Sequence, residues 1–407
     1  MKIVFITPVV PFVDGGTSAH IYHLMLGRDK NISIDIYTFN NNHRSKDDIK
    51  CVEQELDVRI HLIIMPRWIR MLFKMHLLFL RVFLKFPIFY YLKLNQQTIQ
   101  EINSLNPDGV WIYGEELALI TKQFPQYRRV HTLPDSEAMY FYRMLQQRFV
   151  TDDTMLYWKT VFLYRKYCRM EKAYDDSSSV THHLVGLADV NFIKNNNPKI
   201  DARFIRHPHY HILNPNRELS FHQPKIKILI AGQYNYYMKQ EADLLVEQIN
   251  ANVNANDNYL PKNYVFTFLG KGWEKHVETL KDAGYEVEHI TFAPNYQDEL
   301  VKHDIQITPI AIGTGTKGKV LDALANGLLV IGTPYAMENI AVENGVSCIE
   351  YHEPQEVIDV LKDIPSNMDK YEQMAIKGRE AILTIHGRET VSKQLFSMFQ
   401  GATRIKQ

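Results

Sequence analysis

The residues best suited to chemistry in this chain form one short run, Ile312-Gly313-Thr314-Gly315-Thr316-Lys317-Gly318-Lys319. It follows a β-type apolar segment at 305–309 and leads into a helical pattern at 320–325, closed by Asn326-Gly327. Three glycines let backbone amides come close to an anion, two threonines and two lysines add donors and positive charge, and a helix start adds its dipole. That combination is suited to holding phosphate; the plain alternative is a glycine-rich connection with no ligand. The spacing also satisfies the G-x-x-x-x-G-K of a P-loop, but Val320 occupies the position whose hydroxyl would hold Mg²⁺, and the run lies late among its strands. A true P-loop is therefore not expected. Asp322, on the first turns of the helix, is placed to accept hydrogen bonds from ribose hydroxyls, or simply to favour the helix N-terminal half. Lys239, seven residues after Gly232, is a second phosphate candidate; an isolated lysine is otherwise solvated surface.

Such loops need strands to aim them. The pattern predicts strands at 2–7, 32–38, 58–64, 109–113 and 129–132, separated by helical stretches, with a Gly15-Gly16 loop and a helix after the first. A proline- and histidine-rich segment at 206–224 lacks periodicity and is expected to be an interdomain linker. The pattern then restarts with strands at 226–231, 264–269, 289–292, 305–309, 328–331 and 348–351, and ends in a helix at 387–400. Strands alternating with helices imply parallel sheets covered on both faces, hence two doubly wound α/β domains. In such sheets ligands bind beyond the carboxyl ends of the strands, where the glycine runs stand.

The 407 residues are 45% hydrophobic and 23% charged, a composition that folds and buries cores, which excludes disorder for most of the chain. Lys and Arg total 46 against 46 Asp and Glu, so a globally basic nucleic-acid binder is excluded too. Cys51, Cys168 and Cys348 have neither disulfide-framework nor metal-site spacing, which fits a reducing compartment. Pro8 and Pro11 interrupt the first apolar run too early for a signal peptide, and no apolar stretch is long enough to span a bilayer.

The run from Lys319 through Val320-Leu321-Asp322-Ala323 to Gly327-Leu328-Leu329-Val330 resembles the donor-binding half of the family-4-like GT-B glycosyltransferases, the glycosyl transferases group 1. The Gly15-Gly16 loop is similar to that family's first-domain loop, and Gly232-Gln233 with Lys239 to its phosphate-gripping turn. The resemblance implies two Rossmann-like domains facing a central cleft: 1–205 for the acceptor, 206–224 as linker, 225–386 for a nucleotide-diphosphate sugar, and 387–407 returning to the first domain. It implies that Lys239, Lys317 and Lys319 face the diphosphate with amides of Gly15, Gly16, Gly313, Thr314, Gly315 and Thr316, and that Asp322 holds the ribose. Gly270, Phe292 and Ala293 would flank the base. His131 would approach the donor sugar, with a structural histidine as the other reading; Glu338 is loosely similar to a sugar-side acid and is otherwise a surface acid. Three positions depart from the family pattern. Thr314 stands for the first of two paired glutamates, Asp322 shortens the second, and Gln233 replaces an arginine. The implied enzyme is a hexosyltransferase-type glycosyltransferase, retaining by resemblance. It needs no metal or other cofactor, since lysines take the part of a cation and no D-x-D or metal-ligand cluster is present. A nucleotide-sugar epimerase and a non-catalytic nucleotide-sugar-binding protein of the same fold are the alternatives.

The zero net charge hides an asymmetry. Residues 58–100 contain no Asp or Glu but seven Lys or Arg, which leaves 39 basic against 46 acidic elsewhere. As one continuous helix, Arg67, Arg70, Lys74, Arg81 and Lys85 would fall on one narrow stripe beside Trp68 and many Leu and Phe. A basic amphipathic helix of this kind lies on anionic membranes; a buried helix with its charges in water is the other reading. The expectation is a cytoplasmic enzyme, peripheral on the inner face of the membrane. It would transfer sugar to a saccharide or lipid-linked saccharide in surface polysaccharide synthesis, with no nucleic-acid partner.

Overall fold

The computed structural model describes residues 1–13, 16–214, 217–254 and 259–400. The chain divides into two compact units: residues 1–208 with the segment from Arg388 onward, and His209–Gly387.

The first unit holds a seven-stranded sheet: β1 (Lys2–Thr7), β2 (Ser33–Thr38), β3 (Arg59–Leu62), β4 (Gly109–Tyr113), β5 (Arg128–Leu133), β6 (Val180–Leu184) and β7 (Ala202–Phe204). Their order is β3-β2-β1-β4-β5-β6-β7, and every pairing is parallel. The central strands are buried along their whole length, because helices cover both faces. The helix Arg388–Ser397 belongs to this unit: its Ser392 hydroxyl donates to the Leu24 carbonyl at 2.7 Å, against the helix Gly16–Leu26. Gly27 has no room for a side chain beside the Arg388 carbonyl.

The second unit has β8 (Ile226–Ala231), β9 (Tyr264–Leu269), β10 (Glu286–Ile290), β11 (Ile305–Thr308), β12 (Leu329–Gly332) and β13 (Ile349–Glu350), again all parallel, in the order β10-β9-β8-β11-β12-β13. The order reverses between β1 and β4 in one sheet and between β8 and β11 in the other. Such reversals open a crevice at the strands' carboxyl ends.

Three sequence expectations change. Most of the 206–224 segment is irregular, as its prolines require, but it packs on the second unit: Leu219 and Phe221 enter that core, and Asn326 fixes Leu213 and His211 through hydrogen bonds of 3.0 Å each. Phe292 and Ala293 do not end a strand, since β10 stops at Ile290; Phe292 is 73% exposed and Ala293 packs, partly buried, against the apolar cluster that includes Val320. The basic stretch is not one helix. The helix Arg67–Lys74 stops at His76, whose φ of +54° is incompatible with continuing it, and a 3₁₀ segment, Leu77–Phe83, follows. The single stripe is broken, yet Arg67, Trp68, Arg70, Lys74, Arg81 and Lys85 are all exposed. Of the described apolar side chains around them only Ile69 is fully buried, while Phe79 is 63% and Phe83 is 83% exposed.

Candidate functional site

At the switch point of the second sheet, β8 releases Gly232 and β11 releases the glycine-rich loop. Two amides of that loop, Ala311 and Ile312, donate to the Tyr237 carbonyl at 2.7 and 3.2 Å, so the two loops are joined. Gly232 sits at φ 148° and Gly270, after β9, at φ 137°. A Cβ on Gly270 would collide with the Gly232 carbonyl, which itself accepts from the Trp273 indole at 2.7 Å. Close backbone approach at this edge requires glycine.

Within the loop the two lysines part company. The Lys317 ammonium donates to the carbonyls of Thr314 (2.8 Å) and Gly315 (3.2 Å), while Asn339 donates to the same Gly315 carbonyl at 2.6 Å. Gly315 turns at φ 55°, and Gly313 leaves space that the Lys317 stem fills. Lys317 therefore braces the loop, in contrast to the expected phosphate ligand: its bonds go to backbone oxygens produced by the turn itself. Thr314 and Thr316 are half-buried. Lys319 is different. Its side chain is open to solvent, yet it stands 5.4 Å over the Tyr296 ring, and its ammonium would come within 4.0 Å of a Cβ placed on Gly232. Protein crowding lowers its pKa, partly offset by Asp322. The helix that Lys319 opens, Gly318–Ala325, has no side-chain cap at its N-terminus. The Val320 and Leu321 amides donate to the Lys317 carbonyl at 2.9 and 3.2 Å, which leaves the Gly318 and Lys319 amides at the helix start, beside the Lys319 ammonium, where an anion would be favoured.

Asp322 lies one turn further along, 5% exposed, its carboxyl pKa pushed up to about 7 by burial while Lys319 pulls it down. Burial, with the Asp322 charge added, holds the phenols of Tyr210 and Tyr296 well above their ordinary pKa. Gln306 on β11 ties the group together, accepting from Tyr296 (3.2 Å) and donating to Thr308 (3.0 Å) and to the Lys319 carbonyl (3.3 Å). Tyr210, Tyr296 and Gln306 escaped the sequence reading because they stand outside the glycine run. Gln306 carried a signal, a lone amide amid the apolar residues of a strand.

Lys239 opens the helix Lys239–Asn254 and donates to the Tyr234 hydroxyl (2.9 Å) and Asp243 (3.3 Å), the former chiefly raising its pKa. With His276, which pairs with Asp243 at 2.8 Å, these side chains line a cavity of about 550 Å³. Gln233 is exposed beside Gly232. Glu338 is half-buried at the end of the short helix Pro334–Met337. Among the described residues, His222, Asp369 and Glu372 bring potential metal-ligand atoms within 4.8 Å of one another, but His222 lies just ahead of β8, away from the loops that follow the strands.

In the first unit Gly16 starts its helix at φ 45°, and Gly15 lies outside the described residues. His131 is a correction: it stands within β5, fully buried, with Nδ1 3.1 Å from His182 Nδ1 and Nε2 3.0 Å from the Gly114 carbonyl. Burial, with His182 beside it, lowers its pKa to about 3. Both ring nitrogens are committed inside the sheet, which gives it a structural part and not the expected contact with a sugar. The sequence missed a group of acids in this unit. Glu115 and Glu116 follow β4, Glu137 follows β5, and burial raises the pKa of each, Glu115 charge adding to the effect at the other two. Glu171, raised by burial to about 7, accepts from Ser136 (2.8 Å) and the Ala138 amide (3.1 Å). These carboxyls gather from distant segments, so no local motif announces them.

Residues 225–367 match the family model of the glycosyl transferases group 1. No curated protein matches the chain in sequence. Among solved structures, Anabaena Alr3699/HepE in complex with UDP is similar over 99% of this chain and 100% of its own, with TM-score 0.63 and 10% identity. TarM of S. aureus is similar over 98% and 99% of the two chains at TM-score 0.64 and 12% identity. Sucrose-phosphate synthase from Thermosynechococcus elongatus follows over 98% of each chain at TM-score 0.63 and 10% identity. Residues 225–367 are thus similar to the glycosyl transferases group 1, and the chain has the two-sheet α/β fold of the GT-B glycosyltransferases.

Proposed function

We propose that this chain is a glycosyltransferase that moves a sugar from a nucleoside-diphosphate sugar to a saccharide or lipid-linked saccharide at an anionic membrane face, in surface polysaccharide synthesis. The observation that carries the reading is Lys319, held over Tyr296 beside Gly232 at an uncapped helix start. As the sugar leaves, negative charge grows on the diphosphate; an ammonium and fixed amides already in place stabilise it without reorganisation. Asp322 would accept from the ribose hydroxyls, with Tyr296 and Tyr210 closing its surroundings. The first unit would take the acceptor, whose hydroxyls suit the carboxyls of Glu115, Glu116 and Glu137. UDP is the nucleotide to try first, since HepE was solved with UDP and with UDP-glucose. Retention of anomeric configuration and independence of metal are assigned by family resemblance; product NMR and assay in chelator test them.

The membrane part rests on exposed Trp68, Phe79 and Phe83 among Arg67, Arg70, Lys74 and Arg81. Aromatic and basic side chains together favour the interface of an anionic bilayer. None of the described helices is long and apolar enough to cross one. A non-catalytic reading has one observation in its favour, the burial of His131. The test is turnover: the chain is incubated with a panel of nucleotide sugars and lipid-extracted acceptors, and glycosylated product is sought by mass spectrometry. Nucleotide binding with no turnover on any acceptor would favour the non-catalytic reading, donor conversion without an acceptor the epimerase.

A further inference from the structure

The helix Thr154–Glu171 carries a stripe that the glycosyl-transfer reading does not use. Trp158, Phe162, Arg165 and Arg169 follow one another at spacings of four, three and four residues, which places them on one face within about 60°. Opposite them runs the end of the 3₁₀ segment Leu77–Phe83 with Leu84 and Lys85, and between the two lies a groove of about 290 Å³. Four cations line it, Lys85, Arg165, Lys166 and Arg169, with no carboxylate among the lining residues. Trp158 and Phe162 form its apolar side, Trp158 being 60% exposed, and Phe83 stands exposed next to Leu84.

Two features separate this groove from scattered surface charge. Lys166 is buried and donates to the Arg81 carbonyl, which pins the helix to the basic segment and fixes the groove's width. Its ammonium also lies 5.3 Å over the Phe162 ring. Burial, and secondarily Arg81, lowers the Lys166 pKa, so a negative group entering here would relieve an unfavourable concentration of positive charge. Guanidinium groups bind phosphate oxygens in a bidentate fork, while the aromatic rim suits acyl chain and glycerol.

We infer that this groove is a binding site for the phosphate headgroup of an anionic membrane lipid, with Arg165, Arg169 and Lys85 on the phosphate and Trp158 and Phe162 against the lipid's apolar part. The inference rests on the membrane reading above and gives it a defined pocket in place of a diffuse charge. The two surfaces adjoin in sequence and share the 77–85 segment, so one bilayer would meet both.

Two triple variants of the full chain remove equal charge from exposed positions: Lys85→Ala with Arg165→Ala and Arg169→Ala, and Arg67→Ala with Arg70→Ala and Lys74→Ala. Partition is measured by co-sedimentation with phosphatidylcholine vesicles, with and without phosphatidylglycerol. A soluble short-chain phosphatidylglycerol and inorganic phosphate are titrated separately, with tryptophan fluorescence as readout. The groove triple is expected to lose partition to anionic vesicles by about tenfold more than the control triple, beyond the general effect of lost basic residues. It should also abolish the short-chain lipid response, which inorganic phosphate does not reproduce. Equal losses in the two triples, with no short-chain response in the unmodified chain, overturn the groove and leave the membrane reading standing. Failure of the unmodified chain to distinguish anionic from neutral vesicles overturns both.

Discussion

Lys319 and Asp322 lie one turn apart on the same short helix, the ammonium open to solvent and the carboxyl 5% exposed, each shifting the other's pKa. Under the proposed function the buried carboxyl and the accessible ammonium would divide two tasks, ribose and diphosphate, along about 5 Å of helix. Their titration can be read out. With its pKa near 7, Asp322 is about half ionised at neutral pH. Donor KM is expected to fall as pH rises through about 7 and the carboxylate becomes the better acceptor. Asp322→Asn should flatten that profile. Stability follows the opposite sign: a folded pKa raised above the unfolded value means stability is lost as pH rises from about 4 to 7. The Asn variant should therefore gain on the parent in urea unfolding as pH increases; a KM profile unchanged by the substitution contradicts the ribose assignment.

Lys317 offers a contrast on the same loop. Because its ammonium serves the Thr314 and Gly315 carbonyls, Lys317→Met should cost about 1 to 2 kcal/mol of stability through lost charge-assisted hydrogen bonds. Donor KM should change less than in Lys319→Ala. Chemical denaturation and steady-state kinetics on the two variants separate bracing from ligand contact; the reverse ranking in KM would restore Lys317 as a phosphate ligand.

Gly270 tests the geometry of the crevice floor. Alanine there must take φ 137° and push its Cβ into the Gly232 carbonyl. A loss of about 2 to 4 kcal/mol is expected from strain and overpacking together. Gly284, also at positive φ but with open space around it, should lose less on the same substitution. Urea midpoints of the two variants decide the point, and equal losses would mean that the close approach of the two loops is not present in solution.

In the second unit β8 and β9 were legible in sequence because both are apolar and are followed by glycine, and they coincide with their predicted ranges, whereas the polar β10 (Glu286–Ile290) begins ahead of its predicted 289–292. The first unit was harder. β6 went unseen because Thr181, His182 and His183 break the apolar run, although all three are fully buried. Their polarity is used across the sheet, where the Trp111 indole donates to Thr132 at 2.8 Å and the Thr132 hydroxyl meets His183 Nδ1 at 3.1 Å. That chain of bonds exists only once β4, β5 and β6 are side by side. Likewise 100° periodicity could not foresee the left-handed turn at His76, and no local signal tells Lys317, which turns back on its loop, from Lys319, which does not.

Those buried histidines set a pH limit. Burial, the largest cause for each, holds His131 at about 3 and His183 and His207 at about 4. Each is below the ordinary value of about 6.5, so the unfolded chain takes up protons first as pH falls. Their contribution is complete above about 6.5 and lost on descending toward 4. Glu171, raised to about 7, opposes this, since its contribution is lost as pH rises from about 4.5 to 7. Glu171→Gln should thus fare better relative to the parent at pH 7.5 than at pH 5. Unfolding followed at both pH values checks this, and a constant difference would contradict the buried, raised state of the carboxyl.

The central claim, that the glycine loop and Lys319 form a nucleoside-diphosphate sugar site, is tested most directly by titration calorimetry of the full chain with UDP and with UDP-glucose, repeated on Lys319→Ala. Saturable binding in the parent, weakened about tenfold to a hundredfold in the variant with unchanged unfolding behaviour, is the predicted result for a charge-assisted phosphate contact. Affinity in the variant equal to that of the parent would contradict the claim.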